Sequence, residues 1–324
     1  MAKILACQAV GPRWTGVWRR LVLGAGLEPA CLSAYAPQTY VSAIPPPEPL
    51  SGCSARNLPL NARRGKCFAR FIPRMNLIEE DWIKVDLHIH TLDDPKDVLD
   101  YSAHQLLERA KQLGFGVLAI TLHDTVFNRA EVFADAAAMG ILLIPAAEVR
   151  VEGADIILLN VTSAEVTGLK NFDDVRQLRA RRGLSIFTFA PHPFYVLGGS
   201  IGERLLQEID CFDAIELCHF HKGLFDLNRR ARKVSGKYNK PLIATSDAHQ
   251  LHAFGRHYTS IPRPPEMTIE NIFAALRNGP RRVVSPSASI VDLVSMIYFF
   301  FFTHPVRIRR QRSRASSLES ESQT

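Results

Sequence analysis

The sequence predicts an α/β protein whose parallel strands are covered by helices and curl into a barrel. From residue 83 onward, apolar runs of strand length alternate with segments of helical pattern. These runs are apolar at nearly every position, which is typical of parallel strands buried on both faces. Six or seven such units in roughly 200 residues favour a barrel, and the pattern alone leaves an open sheet as the alternative.

The predicted strands recur along the body of the chain. In chain order they read IKVDLHIH, GVLAIT, GILLIPA, LSIFTFA, DAIELC and KPLIATS, beginning at residues 83, 116, 140, 184, 213 and 240. Two helices have clear boundaries. Residues 102–114 carry a Ser-x-x-Gln capping box and a closing glycine, and residues 268–279 begin with threonine and end with glycine. Such caps mark helix starts and ends.

The positive charge of the chain is concentrated at its two ends. The formal net charge is +7, of which residues 1–74 carry +8 and residues 304–324 carry +3. Residues 75–303 therefore carry −4. A body built to follow a phosphate backbone needs a basic surface, so no stable nucleic-acid partner is predicted.

Residues 1–74 differ from the body in composition. They hold nine of the twenty prolines, and no stretch keeps a helical or strand period. Our interpretation is a disordered segment or an extension that is not part of the native coding sequence. The domain is then predicted to span residues 75–285, with Met75 as a plausible beginning.

The segment from residue 286 to 324 contains the most apolar stretch of the chain. Residues 290–302 read IVDLVSMIYFFFF, which is shorter than the roughly 20 residues that a membrane-spanning helix needs. We therefore predict no span, and a closing helix packed on the body. The alternative is a membrane-surface anchor followed by the basic run RIRRQRSR. The serine-rich end is expected to be disordered.

The cysteines show no disulfide framework. Four of the six precede residue 75, and the body holds only Cys211 and Cys218, without a CxxC pair. This usage favours a reducing compartment, and a cytoplasmic location is the expectation.

Every predicted strand ends in side chains that can bind a metal ion. In chain order these are His88 and His90, His123 and Asp124, Glu148, His192, His219 and His221, and Asp247 and His249. The C-terminal ends of parallel strands share one face, so these side chains are expected to line one cup. Burying so many ionisable groups together without a cation is costly in desolvation and repulsion.

The sequence thus predicts a metal centre with two or three ions. Glu148 and Asp247 are the candidates for carboxylates that bridge two ions. Nitrogen and carboxylate ligands together suit Zn, Mn or Fe better than Ca.

The ordered series DLHIHT, AITLHD, AAEV, APHP, AIELCHF and SDAH resembles the polymerase and histidinol phosphatase (PHP) family of metal-dependent phosphoesterases. The match covers about residues 83–285. The resemblance implies a distorted TIM-like (β/α)7 barrel with a trinuclear site. The ligands it implies are His88, His90, Asp94, His123, Glu148, His192, His219, Asp247 and His249.

Two positions in this set leave alternatives open. After HIHT the chain reads LDDPKDVLDYS, so Asp93 and Asp97 compete with Asp94 for the early aspartate. His219 best fits the position after IE, and His221 is its neighbour. After HIHT the sequence departs from the pattern of the PHP family, and this departure bears on whether a third metal site is filled.

The expected chemistry is hydrolysis of a phosphate mono- or diester, with a metal-bridging hydroxide as nucleophile. The expected substrate is a small phosphorylated molecule or a nucleotide. Glu148 and Asp247 are the predicted catalytic carboxylates, and Arg256 is the predicted basic helper, with His257 and Lys222 as further candidates. Two alternatives stay open: an amidohydrolase-type hydrolase or deaminase, and a metal-binding regulatory module without turnover.

Overall fold

The computed structural model describes residues 82–298 apart from 196–197, 220 and 222–225, together with Phe302 and Val306. Residues 1–74, and the end of the chain after Val306, lie outside the described residues. The extent of the predicted domain, 75–285, stays a prediction.

Strands and helices alternate along the described residues. The strands are β1 (Trp82–Ile89), β2 (Phe115–His123), β3 (Leu142–Val151), β4 (Ala154–Leu159), β5 (Phe187–Ala190), β6 (Ala214–Leu217), β7 (Leu242–Ala244), β8 (Tyr258–Pro262) and β9 (Arg282–Val284). The α-helices are α1 (Ala103–Leu113), α2 (Ala130–Ala138), α3 (Ser163–Thr167), α4 (Phe172–Arg182), α5 (Asn228–Tyr238), α6 (Ile269–Asn278) and α7 (Ile290–Tyr298). Short 3₁₀ helices lie at Gly183–Ser185, Gly202–Leu206 and Ile209–Cys211.

All nine strands form one sheet that curls into a nearly closed barrel. Their order is β7-β6-β5-β4-β3-β2-β1-β8-β9. The edge strand β7 is tied to β8, the strand next to the other edge, through a side chain. The Thr259 hydroxyl on β8 accepts from the Ala244 N–H at 2.9 Å and donates to the Ala244 carbonyl at 3.0 Å. The predicted α/β barrel is confirmed.

The expectation of parallel strands throughout is wrong. Parallel pairs join β1 to β2, β2 to β3, β5 to β6 and β6 to β7. The other four pairs are antiparallel: β3–β4, β4–β5, β1–β8 and β8–β9. The reason at β3 is local. Glu152 and Gly153 form a two-residue turn with φ of 48° and 86°, and such turns join antiparallel strands.

The predicted helix caps are confirmed. Ser102 accepts from the Gln105 N–H while the Gln105 side chain accepts from the Ser102 N–H, and Gly114 ends α1 in the left-handed conformation. Thr268 caps α6, which ends before Gly279. These contacts satisfy backbone groups that a helix terminus leaves without partners.

The core lies on both sides of the sheet. On one side, alternate residues of β1 (Ile83, Val85 and Leu87) pack in a buried cluster with Ile272 and Phe273 of α6. On the other side, α1 and α2 pack against β2, while α4 and α5 cover β4 and β6. Each large buried aliphatic side chain stabilises the fold by about 1.5–3 kcal/mol. This packing holds the strands rigidly, so the loops at their ends are well placed.

Among the residues that the structure describes, no helix has both the length and the apolar character needed to cross a bilayer. The described cysteines, Cys211 and Cys218, are buried thiols.

Candidate metal centre

One end of the barrel gathers the predicted ligand side chains into one connected cluster. His88 lies on β1 and His90 directly follows this strand, His123 ends β2, and Glu148 lies on β3. The loops after β5, β6 and β7 supply His192, His219, and Asp247 with His249. His88 and His90 have their Nε2 atoms 3.3 Å apart, so the two imidazoles aim at one point, as their spacing predicts.

Glu148 lies at the middle of the cluster. Its Oε2 is 3.4 Å from Nε2 of His88 and 3.3 Å from Nε2 of both His90 and His123. Its Oε1 is 3.8 Å from Nε2 of His192. One carboxylate therefore faces four imidazoles, which come from the end of β1, the end of β2 and the loop after β5.

Asp247 is a second centre beside the first. Its Oδ1 lies 3.4 Å from Nε2 of His88, 3.5 Å from Nε2 of His90 and 3.5 Å from Nδ1 of His249. Its Oδ2 is 4.0 Å from Nδ1 of His219. His88 and His90 thus lie between the two carboxylates, which is the arrangement needed for neighbouring ions that share ligands.

The donor atoms fit transition-metal ions. Several triads have their nitrogen and oxygen atoms within 4.8 Å of one another, among them His88, His90 and Glu148, and His88, His192 and Asp247. Imidazole with carboxylate is a donor set that Zn, Mn and Fe accept. His88, His90 and Glu148 are buried, so an ion there is shielded from bulk water.

The charges of the cluster depend on one another. Burial alone raises the pKa of Glu148, but the charge of His88 and hydrogen bonds from His192 and His88 hold it well below its ordinary value. Burial alone lowers the pKa of His88, but Asp247, Glu216 and Glu148 hold it well above its ordinary value. Protons on imidazoles thus balance the carboxylates where no cation does so, and protons and metal ions compete for the same nitrogen atoms.

The backbone is strained at two of the predicted ligands. His192 has φ of 27° and Asp247 has φ of 45°, a region that side chains other than glycine rarely adopt. Strain of this kind costs of order 1–3 kcal/mol and persists mainly at functional sites. It supports a role for both side chains in the cluster.

The three competing aspartates occupy different places. Asp93 faces away and pairs with Arg129 at 3.1 Å. Oδ2 of Asp94 lies 3.0 Å from Nδ1 of His90 and 2.9 Å from Nδ1 of His123, on the side of each ring opposite to Glu148. Asp97 places its Oδ2 2.9 Å from Nε2 of His249.

The two histidines after β6 also diverge. His219 lies beside Asp247 and its ring is 5.8 Å from that of His257. Nε2 of His221 lies 3.0 Å from the carbonyl oxygen of Ser285. Burial lowers the pKa of both imidazoles, that of His219 to about 4. The structure therefore brings His219 to the cluster and directs His221 elsewhere.

Sequence reasoning missed Glu216, which lies on β6 within the predicted strand. Its Oε1 is 3.0 Å from Nδ1 of His88 and also accepts from the Thr245 hydroxyl. Its Oε2 accepts from the His192 N–H at 2.7 Å. A carboxylate on the far nitrogen of a ligand imidazole fixes the orientation of the ring. A charged residue inside an otherwise apolar buried strand was the available signal.

Asp86 was also passed over as a site residue. It is fully buried, its Oδ1 accepts from the Ser246 N–H at 3.1 Å, and burial raises its pKa to about 7. It thereby links β1 to the loop that carries Asp247.

The predicted basic helpers are in different positions. Arg256 makes a two-pronged ion pair with Asp292 of α7, at 2.6 and 2.8 Å. Both side chains line a pocket next to Asp247, together with His249 and His257. Lys222 lies outside the described residues. Arg256 is thus within the wall of the pocket but is held by a carboxylate.

The fold and this cluster define an α/β barrel with a cup of imidazoles and carboxylates that can hold metal ions. Residues 226–280 match the family model described as PHP-associated. This match to one segment of the chain agrees with the resemblance to the PHP family seen in the motifs.

Several other proteins are similar to the chain. An uncharacterized protein of Methanocaldococcus jannaschii is 27% identical over 146 residues, which is 41% of this chain and 82% of that protein. A two-domain Bacteroides vulgatus protein containing a predicted PHP-like metal-dependent phosphoesterase is 21% identical with a TM-score of 0.48. The match spans 62% of this chain and 64% of that one. A lesion-specific endonuclease of Pyrococcus furiosus is 16% identical with a TM-score of 0.46, over 67% of this chain and 66% of that one.

Proposed function

We propose that this protein is a metal-dependent phosphoesterase that hydrolyses a phosphate mono- or diester of a small phosphorylated molecule or a nucleotide. The observation that carries the proposal is the pair of central carboxylates, Glu148 and Asp247, each approached by several imidazoles at 3.3–4.0 Å. The match of residues 226–280 to the PHP-associated model and the resemblance of the motifs support the same reaction class.

The proposed centre holds two or three ions of Zn, Mn or Fe. Ions held there lower the pKa of a coordinated water and polarise phosphoryl oxygens. The proposed ligands are His88, His90, Asp94, His123, Glu148, His192, His219, Asp247 and His249. Asp97 is the alternative to Asp94, because Asp94 lies behind two imidazoles whereas Asp97 faces His249.

The protein's own groups then have distinct tasks. Glu148 and Asp247 would be the carboxylates that hold the ions, and their placement would fix the position of the reacting groups. Glu216 orients His88. If Asp97 is the ligand in place of Asp94, Asp94 holds the rings of His90 and His123. In these roles Glu216 and Asp94 act through imidazoles, so their effect is on the geometry of the centre.

The pocket beside Asp247 is the proposed place for the substrate. Its wall includes His249, His257 and Arg256. Arg256 can donate two parallel hydrogen bonds to phosphoryl oxygens once it leaves Asp292, because both partners present the same pair of acceptor atoms. A reducing, cytoplasmic setting remains part of the proposal.

The test is a panel of phosphate monoesters and diesters, including nucleotides, offered to the protein loaded with Mn, Zn or Fe in turn. We expect turnover of at least one phosphoester that chelation abolishes and added metal restores. The Glu148→Gln protein is the matched control for contaminating phosphatases. Turnover of amides or amino-substituted bases alone would favour the amidohydrolase alternative. Tight metal binding without any turnover would favour a regulatory module.

A further inference from the structure

The exposed apolar side chains of this protein are concentrated near its C-terminal end. Eight large hydrophobic side chains are exposed among the described residues, and five of them lie between 291 and 306. Val291, Val294 and Tyr298 of α7 are 75%, 59% and 62% exposed. The other three, including Leu184, are scattered over the barrel. An apolar group on one segment is unlike the single exposed residues of an ordinary surface.

These side chains follow a helical repeat. Val291, Val294, Tyr298, Phe302 and Val306 are spaced three, four, four and four residues apart, so on a helix they form one stripe. The rings of Tyr298 and Phe302 are stacked with centroids 5.6 Å apart. Aromatic rings of this kind favour the boundary between water and hydrocarbon.

A cluster of positive charge follows the stripe directly. The sequence from 307 to 314 reads RIRRQRSR, with five arginines and no acidic residue. The next acidic residue along the chain is Glu319. An occupant of the stripe must therefore offer an apolar interior next to a layer of negative charge.

The start of α7 is fastened to the barrel. Ser289 and Asp292 cap the helix reciprocally, at 2.8 and 3.0 Å. The same Asp292 carboxylate binds Arg256 with two hydrogen bonds. This end of the helix is thus fixed, while Val291, Val294 and Tyr298 face outward.

We propose that α7 and the residues that follow it dock on an anionic lipid membrane surface. The apolar stripe enters the boundary between headgroups and acyl chains, and the arginines bind lipid phosphates and carboxylates. A lipid surface supplies both the hydrocarbon and the negative charge that the segment requires. The inference is independent of the proposed reaction, since none of its residues is a proposed metal ligand.

Co-sedimentation of the full chain with lipid vesicles tests the stripe. We expect binding to vesicles of phosphatidylcholine with phosphatidylserine in a 7:3 ratio, and weaker binding at high salt. The double variant Val294→Glu with Tyr298→Glu should lose this binding. Leu184→Glu changes a residue that is also 75% exposed, on the Gly183–Ser185 turn, and should bind as the wild type does.

A second variant tests the charge. Arg309→Gln with Arg310→Gln should weaken binding to the anionic vesicles roughly 30-fold, since each basic residue near such a surface contributes about fivefold. Thermal melting of each variant checks that the barrel is intact. Failure of the wild-type chain to bind anionic vesicles would overturn the proposal. So would a wild-type dimer that the stripe variant converts to a monomer, because the stripe would then be the contact between two copies.

Discussion

The start of β6 and the metal-centre cluster near its other end hold carboxylates in opposite chemical settings. At the start of β6, Asp213 accepts from Arg179 at 2.7 and 3.1 Å, from Arg277 at 3.0 Å and from the Thr188 N–H at 2.9 Å. In the cluster, Glu148 of β3 and Asp247 of the loop after β7 face imidazoles. One carboxylate has permanently charged partners, and the others have partners that can lose their charge.

This difference separates a structural ion cluster from a site prepared for an ion. A guanidinium stays protonated and cannot ligate a metal, so the Asp213 cluster is complete as it stands. An imidazole gives up its proton in the neutral range and then offers a lone pair to a cation. Metal ions can therefore replace these protons in neutralising the charges of Glu148 and Asp247.

The largest expected effect comes from removing one central charge at the cup. Glu148→Gln keeps the size of the side chain but weakens its hold on neighbouring ions, so turnover should fall at least about a hundredfold. Metal content by elemental analysis and steady-state rates on the active phosphoester measure this. Glu270→Gln, an exposed change on α6, is the control. Near-normal turnover with normal metal content would show that Glu148 is not part of the metal centre. The proposed difference between Glu148 and Asp213 would then be wrong.

The next effect concerns stability at the opposite end of β6. Asp213→Asn should lower the free energy of unfolding by about 2 kcal/mol, because hydrogen bonds to a charged group contribute about 1.5–3 kcal/mol. Urea unfolding followed by fluorescence measures the loss. Metal content should not change. A protein of normal stability that loses metal would show that the two regions are not separate.

The pH dependence of that variant sharpens the comparison. Burial raises the pKa of Asp213, but Arg179 and Arg277 outweigh it and lower the pKa to about 2. A carboxylate whose pKa is lowered by folding stabilises the fold at pH values above its unfolded pKa of about 3.9. This stabilisation is lost as the pH falls through the folded pKa of about 2. The difference in free energy of unfolding between the wild type and Asp213→Asn should be constant above pH 5 and decrease below pH 4. A gap that widens in acid would contradict the pairing.

A smaller effect is expected from Glu216, which acts through His88. Glu216→Gln keeps an acceptor oxygen but loses the charge, so metal affinity should fall about 10–100-fold. Turnover at saturating metal should recover most of its wild-type value, which a purely structural defect would not allow. Metal titration followed by activity separates the two. Loss of rate that no metal concentration restores would place Glu216 in direct contact with the reaction.

The smallest effect is expected at Arg256, the guanidinium on the edge of the cup. Its pair with Asp292 is partly exposed and contributes under about 1 kcal/mol to stability, so the melting temperature of Arg256→Ala should hardly change. The KM for a phosphoester should rise several-fold with kcat little affected. An unchanged KM would assign Arg256 to the structural group with Arg179 and Arg277.

Features that depend on interactions between neighbouring residues could be predicted from the sequence. The caps at Ser102 and Thr268, the strand periods and the convergence of His88 with His90 all follow from interactions or geometry within a few residues. The chemical nature of the cup could likewise be predicted, because every predicted strand ended in an imidazole or a carboxylate. These signals are local, so no long-range information was needed.

Strand directions and side-chain contacts between residues far apart in the chain became visible only in the folded protein. The turn at Glu152 and Gly153 makes β4 antiparallel to β3. The fold also brings Glu216 to His88 across 128 residues of sequence. It also set Asp94 behind the imidazoles and turned His221 to Ser285. The physical reason is that one strand or loop presents several polar residues of similar type, and which of them enters the cup depends on the register of neighbouring strands and the direction of each loop.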